Sequence, residues 1–204
     1  RGLENLEAHI DSAKKFGRPI VVALNQFPTD TEEEFAIVRD CCAQYGVPVA
    51  YAGSFAQGGA GCTDLAKLVC EACDKPSTPY APLYSLDVPV KEKLETIARE
   101  IYGADGVVIV PKALKKLEML NAAGAEKLMI CMAKTQNSIS DDPAKLGRPR
   151  NFKITIRDFE IAVGAGFLVA LTGDIMRMPA LPKAPCAETI DLAPDGTITG
   201  MLGC

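Results

Sequence analysis

Residues 19–52 read PIVVALNQFPTDTEEEFAIVRDCCAQYGVPVAYA, and the order of patterns in them decides the fold. Residues 19–24 (PIVVAL) are a short apolar run rich in β-branched side chains, the pattern of a parallel strand covered on both faces. Thr29, Asp30 and Thr31 then offer N-caps. Glu32, Glu33 and Glu34 fill a helical first turn, where the macrodipole favours acidic side chains. Phe35, Val38, Cys42 and Tyr45 keep helical spacing up to Gly46, and residues 47–52 (VPVAYA) form the next strand. Strand, helix, strand in this order predicts a parallel sheet flanked by helices.

The pattern extends outward in both directions. Leu3, Leu6, Ile10, Ala13 and Phe16 repeat at helical spacing before Gly17, which sits where a C-cap would. Downstream, the turn Gly58-Gly59-Ala60-Gly61 leads into a helix over 63–74. Residues 75–89 carry four prolines and no periodicity, and read as a linker or surface arm. A helix over 91–101, a strand over 107–110, a helix opened by Pro111 and a strand over 128–132 follow. The long irregular stretch 133–151 is expected to be functional or disordered. Residues 152–158 alternate like an antiparallel strand, and 165–171 read as a buried one. A second irregular loop covers 172–185. Pro194-Asp195-Gly196 then marks a hairpin between two short strands. The expected class is α/β, with mostly parallel sheets flanked by helices and a small antiparallel hairpin at the C-terminus. The expected division is 1–84, an α/β region carrying the pocket wall, and 85–204, a C-terminal α/β domain.

With 204 residues, 48% of them hydrophobic, the chain has enough apolar surface to fold, which excludes disorder. No run of about 18 apolar residues exists, so no membrane span is expected. A net charge of -4 argues against a nucleic-acid surface. No charged-then-apolar leader opens the chain, so no signal peptide is expected, and the Arg1 start suits a processed chain or a piece of a longer one. Eight scattered cysteines suit cytosolic free thiols. Cys70 and Cys73 form a C-x-x-C inside a helical pattern, away from the helix N-terminus that lowers a thiol pKa, and His9 offers no second zinc ligand. The cysteines are therefore expected to be small buried hydrophobes.

Candidate sites lie just past strand ends, where open α/β sheets bind ligands. Asn25-Gln26-Phe27-Pro28-Thr29-Asp30-Thr31 follows the first strand, and Phe27 either closes the core behind a capped turn or stacks on something flat. Tyr51 to Gln57 follows the second, placing Phe55 at the same sheet edge. Two such aromatics either fill that edge or clamp a planar ring. Gly58, Gly59 and Gly61 form either a tight turn or an anion cradle before a helix. The chain carries no G-x-x-x-x-G-K-[ST] loop and no G-x-G-x-x-G fingerprint after a strand. Lys134-Thr135-Gln136 through Asp141-Asp142-Pro143 is either a binding loop or a capped turn, and Asp174 is read as a turn residue. His9 is a surface residue without a catalytic partner.

Taken together these segments resemble formate–tetrahydrofolate ligase, also called formyltetrahydrofolate synthetase, over nearly the whole chain. The stretches that carry the resemblance are NLEAHIDSAKKFGRPIVVALNQFPTDTEEE, GGAG, KLETIAREIYGADGVVIVPKAL, CMAKTQNSISDDP, LGRPRNFKITIRD and VGAGFLVALTGDIMRMPALPKAP. The resemblance implies a reaction in which ATP phosphorylates formate and the N10 amine of tetrahydrofolate attacks the formyl carbon. Such chemistry must align two anions with a planar pterin, exclude water from a mixed anhydride and stabilise an oxyanion. It implies that Phe27 and Phe55 stack on folate, with Phe55 standing where the family commonly has Trp. Asn25, Pro28, Tyr51 and Ser54 would line the pocket, Tyr51 replacing a usual Leu. The family's phosphate loop and formyl-phosphate Arg belong to an N-terminal region that these residues do not match. The chain is thus expected to be a C-terminal portion, without catalytic residues and inactive alone. The alternative is a non-catalytic folate-binding or assembly module descended from the enzyme. Implied with it are magnesium-bound ATP, tetrahydrofolate and formate as ligands, a monovalent cation, no zinc or flavin, an N-terminal partner portion and a homo-oligomer. The expected location is the cytoplasm, or an organelle matrix for a eukaryotic parent.

Overall fold

The computed structural model describes residues 2–173, 175 and 184–200. The fold is α/β. Helix α1 (Leu3–Lys14) precedes strand β1 (Val22–Asn25), helix α2 (Glu32–Gln44) and strand β2 (Val49–Ala52). β1 and β2 pair in parallel, Val22 opposite Val49 and Asn25 opposite Ala52. The capping box that starts α2 is complete: the Thr31 hydroxyl accepts the Glu34 N–H at 3.3 Å, and the Glu34 carboxylate accepts the Thr31 N–H at 3.0 Å. Leu6 and Ile10 from α1 and Val38, Cys42 and Tyr45 from α2 cover one face of this sheet against Val22 and Val49.

A single helical turn α3 (Ser54–Gln57) and a 3-10 turn (Gly58–Cys62) lead into α4 (Thr63–Asp74), which lies over β2. The other face of β1 is open among the described residues, with Ala23 and Asn25 exposed. This corrects the expectation of a strand covered on both faces. The thiols need a correction as well. Cys41 and Cys42 are buried under α1, but Cys62 is half-buried, and Cys70, Cys73 and Cys131 are exposed. Among the described residues the sheet has two strands and no layer covers the outer side of α4, which holds no buried residue.

The second sheet is larger. After the proline-rich arm come α5 (Val90–Glu100), β3 (Gly106–Ile109), α6 (Pro111–Ala122), β4 (Met129–Ala133), β5 (Lys153–Ala162) and β6 (Phe167–Thr172). The strand order is β3-β5-β6-β4. β3 runs parallel to β5, β6 parallel to β4, and β5 antiparallel to β6. Val90, Leu94 and Ala98 of α5 and Ala113 and Leu117 of α6 bury the face formed by Val107, Ile154, Ile156, Phe159, Leu168 and Ala170. β5 outruns its expected end at Asp158 because a bulge between Ile156 and Asp158 shifts the alternation by one, turning Phe159 inward instead. β7 (Asp191–Leu192) and β8 (Ile198–Thr199) form the expected antiparallel hairpin, with Gly196 at φ +86° in its turn.

The two sheets are joined along α1 and the arm. Lys15 pairs with Glu100 at 2.6 Å and Arg148 with Asp11 at 2.7 Å, and the Ser12 hydroxyl donates to the Ile101 carbonyl at 3.0 Å. The Tyr80 ring of the arm stacks on Phe16, and the Tyr84 hydroxyl accepts the N–H of Ile130 on edge strand β4 at 3.0 Å. Lys93 is a fully buried cation in the core layer. Its ammonium donates to the carbonyls of Glu126 at 2.6 Å and Leu128 at 3.1 Å, tying α5 to the turn before β4. Burial lowers its pKa, against a smaller opposing pull from Asp87 and Glu126. Lys93→Met keeps the stem and leaves both carbonyls unpaired, which should cost about 1–3 kcal/mol. Urea unfolding reads this directly, and an unchanged midpoint would mean that the ammonium is not holding the turn.

Candidate functional site

The parallel pairing of β1 and β2 brings their carboxyl ends side by side, so the loops that leave them emerge at one edge. The first loop is locked by its own backbone. The Phe27 N–H donates to the Asp30 carboxylate at 2.8 Å, and the Asp30 N–H donates to the Phe27 carbonyl at 3.0 Å. Asp30, one of the three residues expected as an N-cap, closes this turn instead, while Thr31 caps the helix. This turn holds the Phe27 ring out of the core, 64% exposed. Of the two readings of Phe27, core closure therefore does not apply.

The second loop leaves Ala52 through Gly53 into α3, where Phe55 is 91% exposed. Ser54 is also exposed, as are Asn25 and Pro28. Tyr51 differs from them. It is half-buried and stacks on Phe35 with ring centroids 4.0 Å apart. Burial, then Glu32 and Asp30, push its phenol pKa up, so it is a neutral O–H donor at neutral pH.

The glycine cluster is a 3-10 turn rather than a plain reverse turn. Gly61 makes a clasp with the β2 exit: the Gly53 N–H donates to the Gly61 carbonyl at 3.0 Å. A Cβ on Gly61 would collide with the Gly53 carbonyl, whereas one on Gly59 would meet nothing within 4 Å. Gly58, at φ +58°, is where the chain reverses. Next to the clasp, Gln26, Phe35, Tyr51, Gln57, Thr63 and Lys67 line a cleft of about 540 Å³ between β2 and α4. Of the expected site residues, Tyr51 and Gly61 line this cleft, whereas Asn25, Phe27, Pro28, Ser54, Phe55, Gly58 and Gly59 lie at the strand ends and their loops and are not part of its lining.

The loop over 134–143 does not join them. Several of its polar groups turn inward and bond one another or nearby backbone, while Gln136 and Asn137 stay exposed. The half-buried Lys134 ammonium donates to the Thr135 carbonyl at 2.7 Å and to that of Ser138, and lies 5.5 Å from the Tyr102 ring centre. The Ser138 and Ser140 hydroxyls bond each other at 2.9 Å, and the Asp141 carboxylate accepts the Thr155 N–H at 2.8 Å. Between the two readings, the capped turn describes this loop. Asp174 lies outside the described residues. His9 is exposed, as expected. A larger groove, about 920 Å³ and lined by Phe16, Tyr80, Tyr84, Tyr102, Met129 and Met132, belongs to the arm and β4, and nothing in the motif pattern announced it.

A family model for formate–tetrahydrofolate ligase matches residues 1–202. The chain belongs to the formate–tetrahydrofolate ligase family. For this ligase family the substrates are formate, tetrahydrofolate and ATP, which places it in one-carbon metabolism. Among the described residues, no helix is long and apolar enough to cross a membrane, and no three His, Cys, Asp or Glu side chains converge as metal ligands.

The clasp provides a stability test at the site. Gly61→Ala forces backbone apart at the β2 exit and should cost on the order of 1–3 kcal/mol, the usual range for overpacking. Gly59→Ala, with open space around it and a φ that is not positive, should melt within a degree or two of wild type. Thermal melts of the pair check this, and equal loss in both variants would count against the clasp.

Proposed function

We propose that this chain is the C-terminal part of an ATP-dependent formate–tetrahydrofolate ligase that makes 10-formyltetrahydrofolate through formyl phosphate, and that it supplies the folate-stacking wall of the site. The single observation behind this is the pair of exposed rings at adjacent parallel strand ends, Phe27 on its locked turn and Phe55 on α3. An exposed Phe gains from burial, and a planar pterin offers each ring a face. Phe55 is smaller than the Trp common in the family but keeps a π-surface.

In this reading residues 1–84 carry the pocket wall and residues 85–204 form a C-terminal domain. Asn25, Pro28, Tyr51 and Ser54 complete the wall, and the N–H groups around Gly58, Gly59 and Gly61 face the anionic end of a substrate. The chain's contribution is to bind and orient. Holding the pterin flat fixes where its N10 amine points, and the aromatic walls keep water from a formyl phosphate brought against it. Phosphate transfer requires a cradle for ATP, and these 204 residues contain no G-x-x-x-x-G-K-[ST] sequence. That cradle, with magnesium-bound ATP and the formyl-phosphate Arg, is assigned to an N-terminal portion of the same enzyme. The uncovered face and edge of β1 support such a partner, because parallel sheets are normally covered on both sides. Homo-oligomer assembly, activation by a monovalent cation and a cytoplasmic or organelle-matrix location complete the proposal, all by family likeness.

Titration of the full chain with tetrahydrofolate tests the wall. Phe27→Ala should weaken binding by about 1–3 kcal/mol, the range for losing one aromatic stacked on a heterocycle, or roughly 5- to 150-fold. Equal affinities would sink the stacking assignment. Formate-dependent ATP cleavage tests the division of labour: the chain alone should show none above background. Turnover at the rate of a complete ligase would overturn the proposal that a separate portion holds ATP.

A further inference from the structure

The cleft between β2 and α4 is lined by two side chains that neighbour the aromatic pair in sequence and that the stacking reading does not use. Gln26 lies between the end of β1 and Phe27, and Gln57 is the last residue of α3, two after Phe55. Both are exposed, and both line the 540 Å³ cleft together with Tyr51. Their placement is set by the glycine clasp. The Gln26 side-chain oxygen lies 3.4 Å from where a Cβ on Gly53 would stand, so this side chain reaches from the β1 end across to the β2 exit. The Gln57 Cβ lies 3.0 Å from where a Cβ on Gly61 would stand. Since Gly53 and Gly61 are joined by a backbone hydrogen bond, the two glutamines flank a single point. Their backbone N–H groups are used, by Ala52 and Gly53 respectively, but neither side-chain amide has a hydrogen-bond partner among the described residues.

A primary amide carries a donor and an acceptor side by side. That pattern matches a heterocycle edge that also alternates donor and acceptor, as Asn and Gln match adenine. Two unpartnered amides on the same two loops as two exposed rings supply the two halves of such a recognition site, faces held by stacking and an edge held by hydrogen bonds. We propose that Gln26 and Gln57 are specificity-determining residues that read the amino–oxo pyrimidine edge of the pterin held by Phe27 and Phe55. This rests on the folate reading above and adds to it the part of the ring that is recognised.

The test uses the full chain and two probes: tetrahydrofolate, and quinoxaline, a two-ring heterocycle of similar face area that lacks the amino and oxo groups. Gln26→Leu and Gln57→Leu should each weaken tetrahydrofolate binding about three- to tenfold, the equivalent of one hydrogen bond, and leave quinoxaline binding unchanged. Phe27→Ala should weaken both probes. If the Leu variants bind tetrahydrofolate as wild type does while Phe27→Ala is impaired, the edge assignment falls and the stacking reading stands. If the Leu variants lose both probes alike, the glutamines only shape the loop, and the assignment is again overturned. If Phe27→Ala binds both probes like wild type, or the wild-type chain binds neither, the stacking reading falls and takes this inference with it. Both glutamines are exposed, so the variants should retain the wild-type melting temperature, which is checked alongside.

Discussion

Everything at the candidate site depends on β1 and β2 running parallel with Asn25 opposite Ala52. In a parallel pair both strands end at the same edge, so two loops far apart in sequence must start side by side. An antiparallel pair would have sent residues 26–30 and 53–57 to opposite ends. The parallel arrangement in turn depends on α2 as the crossover, and α2 begins where its complete capping box and three glutamates fix it. The charge pattern of a helix start thus sets where two aromatic rings emerge.

Each loop is then held by a different device. The first uses a side chain: the Asp30 carboxylate ties back to the Phe27 N–H, closing a four-residue turn with Pro28 inside it. The second uses the absence of side chains. Gly53 and Gly61 approach so closely that a Cβ on Gly61 would collide with backbone, and their hydrogen bond draws the start of α4 against the β2 exit. Neither device spends the rings or the amides on internal contacts. That separation of scaffold from surface is what leaves Phe27, Phe55, Gln26 and Gln57 available. The loop over 134–143 shows the opposite case: a polar stretch whose lysine, serines and aspartate bond one another and the neighbouring backbone.

The order of helices and strands was legible because each element carries its own period and stop signal: Gly46 after α2, Pro111 at the start of α6, Pro194-Asp195-Gly196 in the hairpin. The position of Phe27 and Phe55 at strand ends was legible for the same reason. What could not be read was anything set by how many strands lie side by side. The 19–24 run looks like a doubly covered strand, yet among the described residues β1 is left open on one face because no layer packs on Ala23 and Asn25. The same shortage exposes Cys70 and Cys73, which look apolar in context and have no layer above them. The bulge in β5 is invisible to a period-two reading, since it is the period itself that slips between Ile156 and Asp158. Nothing in the pattern of the helix over 91–101 marks Lys93 as buried. Only the turn before β4, which brings two carbonyls to its ammonium, accounts for its burial.

The open face of β1 also bears on how the site is built. It presents Ala23 and Asn25, one small and one polar, rather than the large aliphatic side chains that face α1 and α2. A strand flank of this kind tolerates water and still admits close approach of another backbone layer, because no bulky side chain stands in the way. Asn25 is on that flank and is also the last residue of β1, separated from the aromatic turn by Gln26 alone. A layer packed on this face would therefore stand next to the loop that carries Gln26 and Phe27.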